Sequence, residues 1–284
     1  MIKEQENQEQ KLTYMKQDID IARRMTKIKH KIAVMSGKGG VGKSTMAVNI
    51  AASLSKKGYK TGILDVDIHG PNVPKMLNIG KKDLKINEDG ILPVEIGENL
   101  KVMSSQFLLS DENSPIIWRG PKKTAAIRQF LSDVSWDDLD MLVIDCPPGT
   151  GDEHLTILQS IPSIDGIIMV TTPHIVSLDD VEKSINMAKS LKIRVLGIIE
   201  NMSGLICPEC EAEIPIFGNG GGSEIASKTG MRLLGSIPIE IRSKEQDSTL
   251  LIENGNSETS KKILEIVTEI ENMVLGNLCE ITGK

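Results

Sequence analysis

Apolar residues run through this chain in short unbroken blocks, and between the blocks they recur at helical spacing. The blocks are KIAVMS (31–36), KTGILDVD (60–67), LKVMSS (100–105), IDGIIMVTTP (164–173), IRVLGIIEN (193–201) and RLLGSIP (232–238), with LDMLVIDCPPG (139–149) running from a strand into a rigid turn. Aliphatic runs of this length predict strands of a parallel sheet covered on both faces. Helices are expected over 45–58, where Gly58 stands as the terminator, over 120–134, and over about 152–161, 176–191 and 222–229. Strand and helix alternate, which argues for right-handed crossovers and one α/β domain over residues 31–284. Within it, residues 80–98 are the most loop-like insertion, and NEDG there is placed to turn a small hairpin.

The two ends are helical by the same reasoning. Residues 1–30 form a polar extension in which apolar residues fall at 12, 15, 19, 22 and 25; that face is read as lying on the chain's own domain, with an arm that packs on a partner as the alternative. The first nine residues are expected to have no order. Near the other end, Ile263, Ile266, Val267, Ile270, Met273 and Val274 share one face of 260–274. The opposite face carries Glu265, Glu269 and Glu271, which anionic lipid would repel, so packing on the sheet is the better reading.

Composition narrows the picture. Only 2% of the 284 residues are aromatic, so the core must be aliphatic. A net charge of -6 gives no support for a nucleic-acid surface. No apolar run reaches 18 residues and the N-terminus has no secretory pattern, so no membrane span is expected and the chain reads as cytoplasmic. Four cysteines, two of them in one C-x-x-C, are not a disulfide framework; metal or redox chemistry is the better expectation.

GKGGVGKST (37–45) follows a predicted strand and opens a predicted helix, the context a phosphate-binding loop requires. Its glycines let backbone N–H groups turn inward around phosphate oxygens, and the following helix points its N-terminus at the same anion. Gly37, Lys38, Gly39, Gly40, Val41, Gly42, Lys43, Ser44 and Thr45 are therefore the expected ATP-binding set. Lys43 is to reach the β- and γ-phosphates, and the Ser44 hydroxyl is to bind Mg²⁺. One nucleotide does not need the second cation, Lys38. KGGVGKST resembles the deviant Walker A motif of the ParA/MinD and nitrogenase iron protein group. That resemblance implies that Lys38 reaches across a homodimer to the partner's ATP, acting as an arginine finger does.

Two aspartate stations end predicted strands: Asp65 and Asp67 in ILDVDIHGPNVP, and Asp145 in VIDCPPGTGDEH. Such positions face the ligand crevice of an open α/β sheet. Asp145 is read as the Walker B residue contacting Mg²⁺ through water, and Asp67 as the switch residue that polarises the attacking water. Asp65 alternates with Asp67 and cannot share its role. His69 and His154 follow the two stations and are placed to join switch hydrogen bonds.

LDVDIHGPNVPKML, WRGPKKTAAIRQFL, LVIDCPPGTGDEHLTI and IENMSGLICPEC resemble the Mrp/ApbC iron–sulfur cluster carrier ATPases from about Lys31 to Ile239. The resemblance implies a homodimer that hydrolyses ATP, binds a [4Fe–4S] cluster and passes it to apo-proteins. It also implies that Asn201 contacts the adenine and that Pro238, in SIP (236–238), lines the base site. Three features depart from the pattern: residues 1–30 contain no cysteine, the small extra domain of many bacterial members is not expected here, and Cys146 follows the Walker B aspartate, where it reads as a small buried hydrophobe.

Cys207 and Cys210 supply two thiolates, whereas such a cluster takes four. Placing both near a two-fold axis solves this, because two chains then contribute Cys₄. Pro208 would stiffen the knuckle. Glu209 and Glu211 are acidic and not expected to lower the thiol pKa values. The same four thiolates suit Zn²⁺ as well as iron–sulfur, and spacing leaves that open. Cys279 falls in a polar tail. Two other readings stand beside the carrier: a positioning ATPase of the ParA/MinD kind, which leaves the cysteines without a task, and an NTPase with structural zinc at its dimer interface.

Overall fold

The computed structural model describes residues 2–68, 70–80, 82–108, 120–174, 176–207, 209–210, 212–218, 220–241, 250–253, 255 and 257–276. Helix α1 (Ile2–Met25) leads into β1 (Ile28–Met35), α2 (Lys43–Lys56), β2 (Thr61–Asp65) and the short α3 (Val73–Met76). Three short strands follow, β3 (Ile86–Asn87), β4 (Gly90–Ile91) and β5 (Val94–Ile96), then β6 (Leu100–Ser104). Next come α4 (Gly120–Asp133), β7 (Leu139–Asp145), α5 (Asp152–Ser160), β8 (Gly166–Thr171) and α6 (Val176–Ser190). The chain closes with β9 (Val195–Ile206), β10 (Glu213–Ile214), α7 (Gly221–Thr229), β11 (Leu233–Ile239) and α8 (Glu258–Val274).

The main sheet runs β10-β9-β8-β1-β7-β2-β6-β5, with β11 also on β9. All of its neighbouring pairs are parallel except the additions β5 and β10. Alternate strand residues feed two cores. On one face Met35, Leu64, Leu142, Ile144 and Met169 meet α1, α4, α5, α6 and α7. On the other Ile32, Val34, Ile63, Val143 and Ile168 meet α2 and α8. This is the expected α/β architecture, with helices on both faces of a mostly parallel sheet. Ile263, Ile266, Val267, Ile270 and Val274 of α8 are all buried, each contributing roughly 1.5–3 kcal/mol.

Three details differ from the sequence reading. Helix α1 begins at Ile2, so the segment expected to lack order is helical. Its contact face is Ile21, Arg24 and Met25, while Leu12, Met15 and Ile19 are 64–70% exposed. Polar grips set that rotation: Arg24 Nε donates to the Ser132 carbonyl at 3.2 Å, and Arg128 donates to the Tyr14 carbonyl and Asp18 at 3.2 and 2.6 Å. Strand β1 starts at Ile28, paired with Leu139, so a boundary at residue 30 falls inside it. The NEDG hairpin forms as β3–β4, its turn held by Asn87 Oδ1, which accepts from the N–H groups of Asp89 and Gly90.

Candidate nucleotide site and cysteine knuckle

Strands β1, β2 and β7 end side by side, and the register places Asp65 opposite Asp145. The phosphate loop leaves β1 and enters α2 through Gly40 (φ 80) and Gly42 (φ 87), both in the left-handed region. At Gly42 a side chain is excluded twice, since an added Cβ would stand 2.1 Å from Asn201 Nδ2. At Gly37 the added atom would stand 2.6 Å from the Asp180 backbone. Gly39 faces Pro148, and the Thr45 carbonyl accepts from Asn49. Gly42→Ala is expected to weaken ADP binding at least about tenfold in calorimetric titration, through φ strain and displacement of Asn201.

Lys43 is buried and donates to Asp145 Oδ1, with Ser44 Oγ at 3.3 Å. Burial pushes both Asp145 and Asp65 above the usual carboxylate range; Asp65 reaches about 8, with the neighbouring Asp145 charge adding to the rise. The two carboxyls rise together as one buried pair, and the Lys43 side chain lies on Asp145 as its partner. Asp145 Oδ2 is buried without a hydrogen-bond partner, and the Ser44 hydroxyl stands beside Asp145. An orphaned carboxylate oxygen next to a hydroxyl, at the mouth of a phosphate loop, is the donor chemistry a hydrated Mg²⁺ takes.

Asp65 has a building role. Its carboxylate accepts the N–H of Asp67 at 3.1 Å, the N–H of Val73 at 3.4 Å and the Ser104 hydroxyl at 2.9 Å. This turns the chain out of the sheet and ends β2 at Asp65, two residues before the expected strand end. Asp67 sits in the loop so formed, buried, accepting from Gly70 N at 3.2 Å, while the Ser105 hydroxyl donates to its carbonyl. Ser104 and Ser105 went unread in the sequence; the signal was a serine pair ending the strand beside Asp65. Lys38 is half-buried, its carbonyl taking the Ser36 hydroxyl at 2.9 Å. His69 lies outside the described residues.

Asn201 stands on β9 against the back of the loop, donating to the Val41 carbonyl at 2.9 Å. Pro238 is buried one residue beyond Ile237, the register partner of Asn201. The Ser236 hydroxyl of the same stretch instead holds buried Glu200 at 2.9 Å, with Gly222 N–H at 2.6 Å on its other oxygen.

Six residues beyond Asn201, β9 ends and the cysteine knuckle begins. Strand β10 turns back antiparallel on β9, pairing Glu213 with Ile206, and the Cys207 N–H donates to the Ala212 carbonyl at 2.9 Å. Cys207 is half-buried, Cys210 is exposed, and both are free thiols. The Cys207 thiol is held below its ordinary value by the backbone N–H groups of Glu209 and then Cys210, with the Cys210 side chain adding to them. The lowering comes from the turn's N–H dipoles and not from the acidic side chains, which the sequence reading did not expect to lower it. Pro208, Glu211 and Cys279 lie outside the described residues. Among the described residues no third His, Cys, Asp or Glu joins the pair as a metal ligand. Cys146 is fully buried, its thiol pushed up to about 12 by burial.

A family model described as ParA, NUBPL iron-transfer P-loop NTPase, matches residues 27–271. The chain belongs to this family. It is 53% identical over 257 residues to the iron–sulfur cluster carrier protein of Methanocaldococcus jannaschii, covering 89% of each chain. It is 49% identical over 220 residues to the cytosolic Fe-S cluster assembly factor NUBP2 homolog of Dictyostelium discoideum, covering 76% of this chain and 83% of that one. Among solved structures, a nucleotide-binding protein from Archaeoglobus fulgidus in complex with ADP superposes with a TM-score of 0.69 at 38% identity, covering 87% of this chain and 92% of that one. The cell division ATPase MinD of Pyrococcus furiosus shares the fold, with a TM-score of 0.59 at 21% identity, covering 86% and 99%. No described helix is long and apolar enough to cross a membrane.

Proposed function

We propose that this chain is a cytoplasmic ATPase that carries a [4Fe–4S] cluster between two copies of itself and hands it to apo-proteins. The observation that carries the reading is the shared strand β9. Midway along it Asn201 donates to the phosphate loop, and one residue past its end stands Cys207, whose sulfur receives backbone N–H groups. The stretch between them is kinked at Met202 (φ 59) and its register against β11 shifts there, so in this reading a change at the loop reaches the thiolates through the backbone of one irregular strand. A binding switch without cargo gives that knuckle no task.

In this reading the loop N–H groups, Lys43 and the partner's Lys38 receive the phosphates, and Asp67 orients the attacking water. Asn201 and Pro238 border the base. Asp145 and Ser44 would hold Mg²⁺, which supplies charge neutralisation for phosphoryl transfer. Two pairs of Cys207 and Cys210 complete the four thiolates for the cluster.

Anaerobic reconstitution with iron and sulfide tests this. About four iron and four sulfide per dimer are expected, with the native mass of two chains and cluster transfer to an apo-protein whose rate depends on ATP. A colourless dimer containing zinc would replace the carrier with a structural-metal reading. Transfer at one rate with ATP, ADP and no nucleotide would remove the coupling.

A further inference from the structure

The turn after Asp145 has an unusual difficulty. Pro147 and Pro148 are adjacent and neither has an N–H, so the turn can be fixed only by its carbonyls and by the residues that flank it. The flanks are fixed: Cys146 N–H donates to the Val34 carbonyl at 3.1 Å and Gly149 N–H to the Ser36 carbonyl at 3.0 Å. Between them, the Pro147 carbonyl is 2.8 Å from His154 Nε2. His154 stands in the first turn of α5 and is 1% exposed. Because a carbonyl only accepts, Nε2 carries the proton and Nδ1 is the bare acceptor. That Nδ1 is buried without a hydrogen-bond partner, which costs its desolvation. An apolar side chain would fill the same space without that cost, so the bond made by Nε2 is what the imidazole contributes. Burial keeps the ring below its ordinary pKa and therefore neutral.

The turn it holds is a wall of the phosphate loop. The Pro148 ring is the nearest group to Gly39, 3.8 Å from where a Cβ there would stand, and Ser36 links the Gly149 N–H to the Lys38 carbonyl. We propose that His154 is a positioning residue for ATP hydrolysis: it fixes the Pro147 carbonyl and so sets the Pro147–Gly149 turn against the stretch of the loop that bears Lys38. The proposal rests on the ATPase reading above. It places the effect on turnover and leaves nucleotide affinity to the loop and Lys43.

Three replacements separate this from mere filling of space. Gln puts its amide nitrogen where Nε2 stands, Asn puts it near Nδ1 and cannot reach the carbonyl, and Leu only fills volume. Expected is kcat within about threefold of the parent for His154→Gln, and a loss of about tenfold or more for His154→Asn and His154→Leu, with KM and the calorimetric ADP affinity within about twofold throughout. Amide exchange at Gly149 rises in Asn and Leu and stays at the parent rate in Gln. Equal kcat in all variants, or Gln as impaired as Asn, overturns the proposal. Should Leu fail to fold, the Gln–Asn pair decides alone. A parent protein that does not turn over ATP sinks the ATPase reading instead; the Gly149 exchange pattern then still tests the contact, and its uniformity across the variants overturns the proposal.

Discussion

Cys207→Ala and Cys210→Ala are each expected to leave the reconstituted protein without iron, sulfide or visible absorbance. Each chain brings two accessible thiols to the knuckle, and among the described residues no other ligand stands near them. Removing one per chain leaves a dimer with two thiolates where four are required. Cys146 cannot replace the loss, being fully buried with its thiol pushed up to about 12. Cys146→Ala should therefore keep the cluster. Nucleotide binding is expected to survive in all three variants, because the loop is built by Gly42, Lys43 and Asn201. Iron and sulfide analysis after anaerobic reconstitution, paired with calorimetric ADP titration, reads both halves. A variant lacking both Cys207 and Cys210 that still held a cluster would end their assignment as its ligands.

Much of this arrangement was readable before any fold was known. The unbroken aliphatic blocks placed the strands, because a sheet covered on both faces demands apolar residues on both sides of each strand. GKGGVGKST placed the loop, because glycine is needed where φ is positive. What stayed hidden depended on neighbours that the chain brings together late. Asp65 and Asp67 look alike in sequence, and only Ser104 and the N–H groups of Asp67 and Val73 show that Asp65 builds the loop. Of the expected apolar stripe of α1, Met25 packs on the domain while Leu12, Met15 and Ile19 are exposed, and Arg24 and Arg128 make polar contacts between α1 and α4. The Cys207 thiol is held below its ordinary pKa by backbone N–H groups, which no side-chain pattern records. Lys43, read at the phosphates, lies on Asp145.

That last contact gives the other large prediction. Lys43→Met is expected to lower ATP hydrolysis at least about a hundredfold, since it removes a fixed positive charge from the transferring phosphoryl group. It also strands Asp145, which is 0% exposed beside an equally buried Asp65. Breaking a buried pair by removing one partner costs about 3–5 kcal/mol, so the nucleotide-free variant should be that much less stable where Asp145 must ionise. The loss should shrink as pH falls. A carboxyl whose folded pKa is raised keeps a proton that the unfolded chain has released, so stability rises on acidification between the folded value and 3.8. Asp65 imposes the same sign on the parent protein, whose stability falls as pH rises toward about 8 and levels off above it. His154 opposes this only below 6.5, where its lowered pKa makes acid destabilising. Urea unfolding of parent and variant at about pH 6.5 and pH 8.5 therefore isolates the carboxylates. A gap between the two proteins that widens with pH supports a buried charge shared by Lys43, Asp145 and Asp65. A gap constant across that range would mean that Lys43 contributes packing alone, and that nucleotide binding need not draw its ammonium away from Asp145.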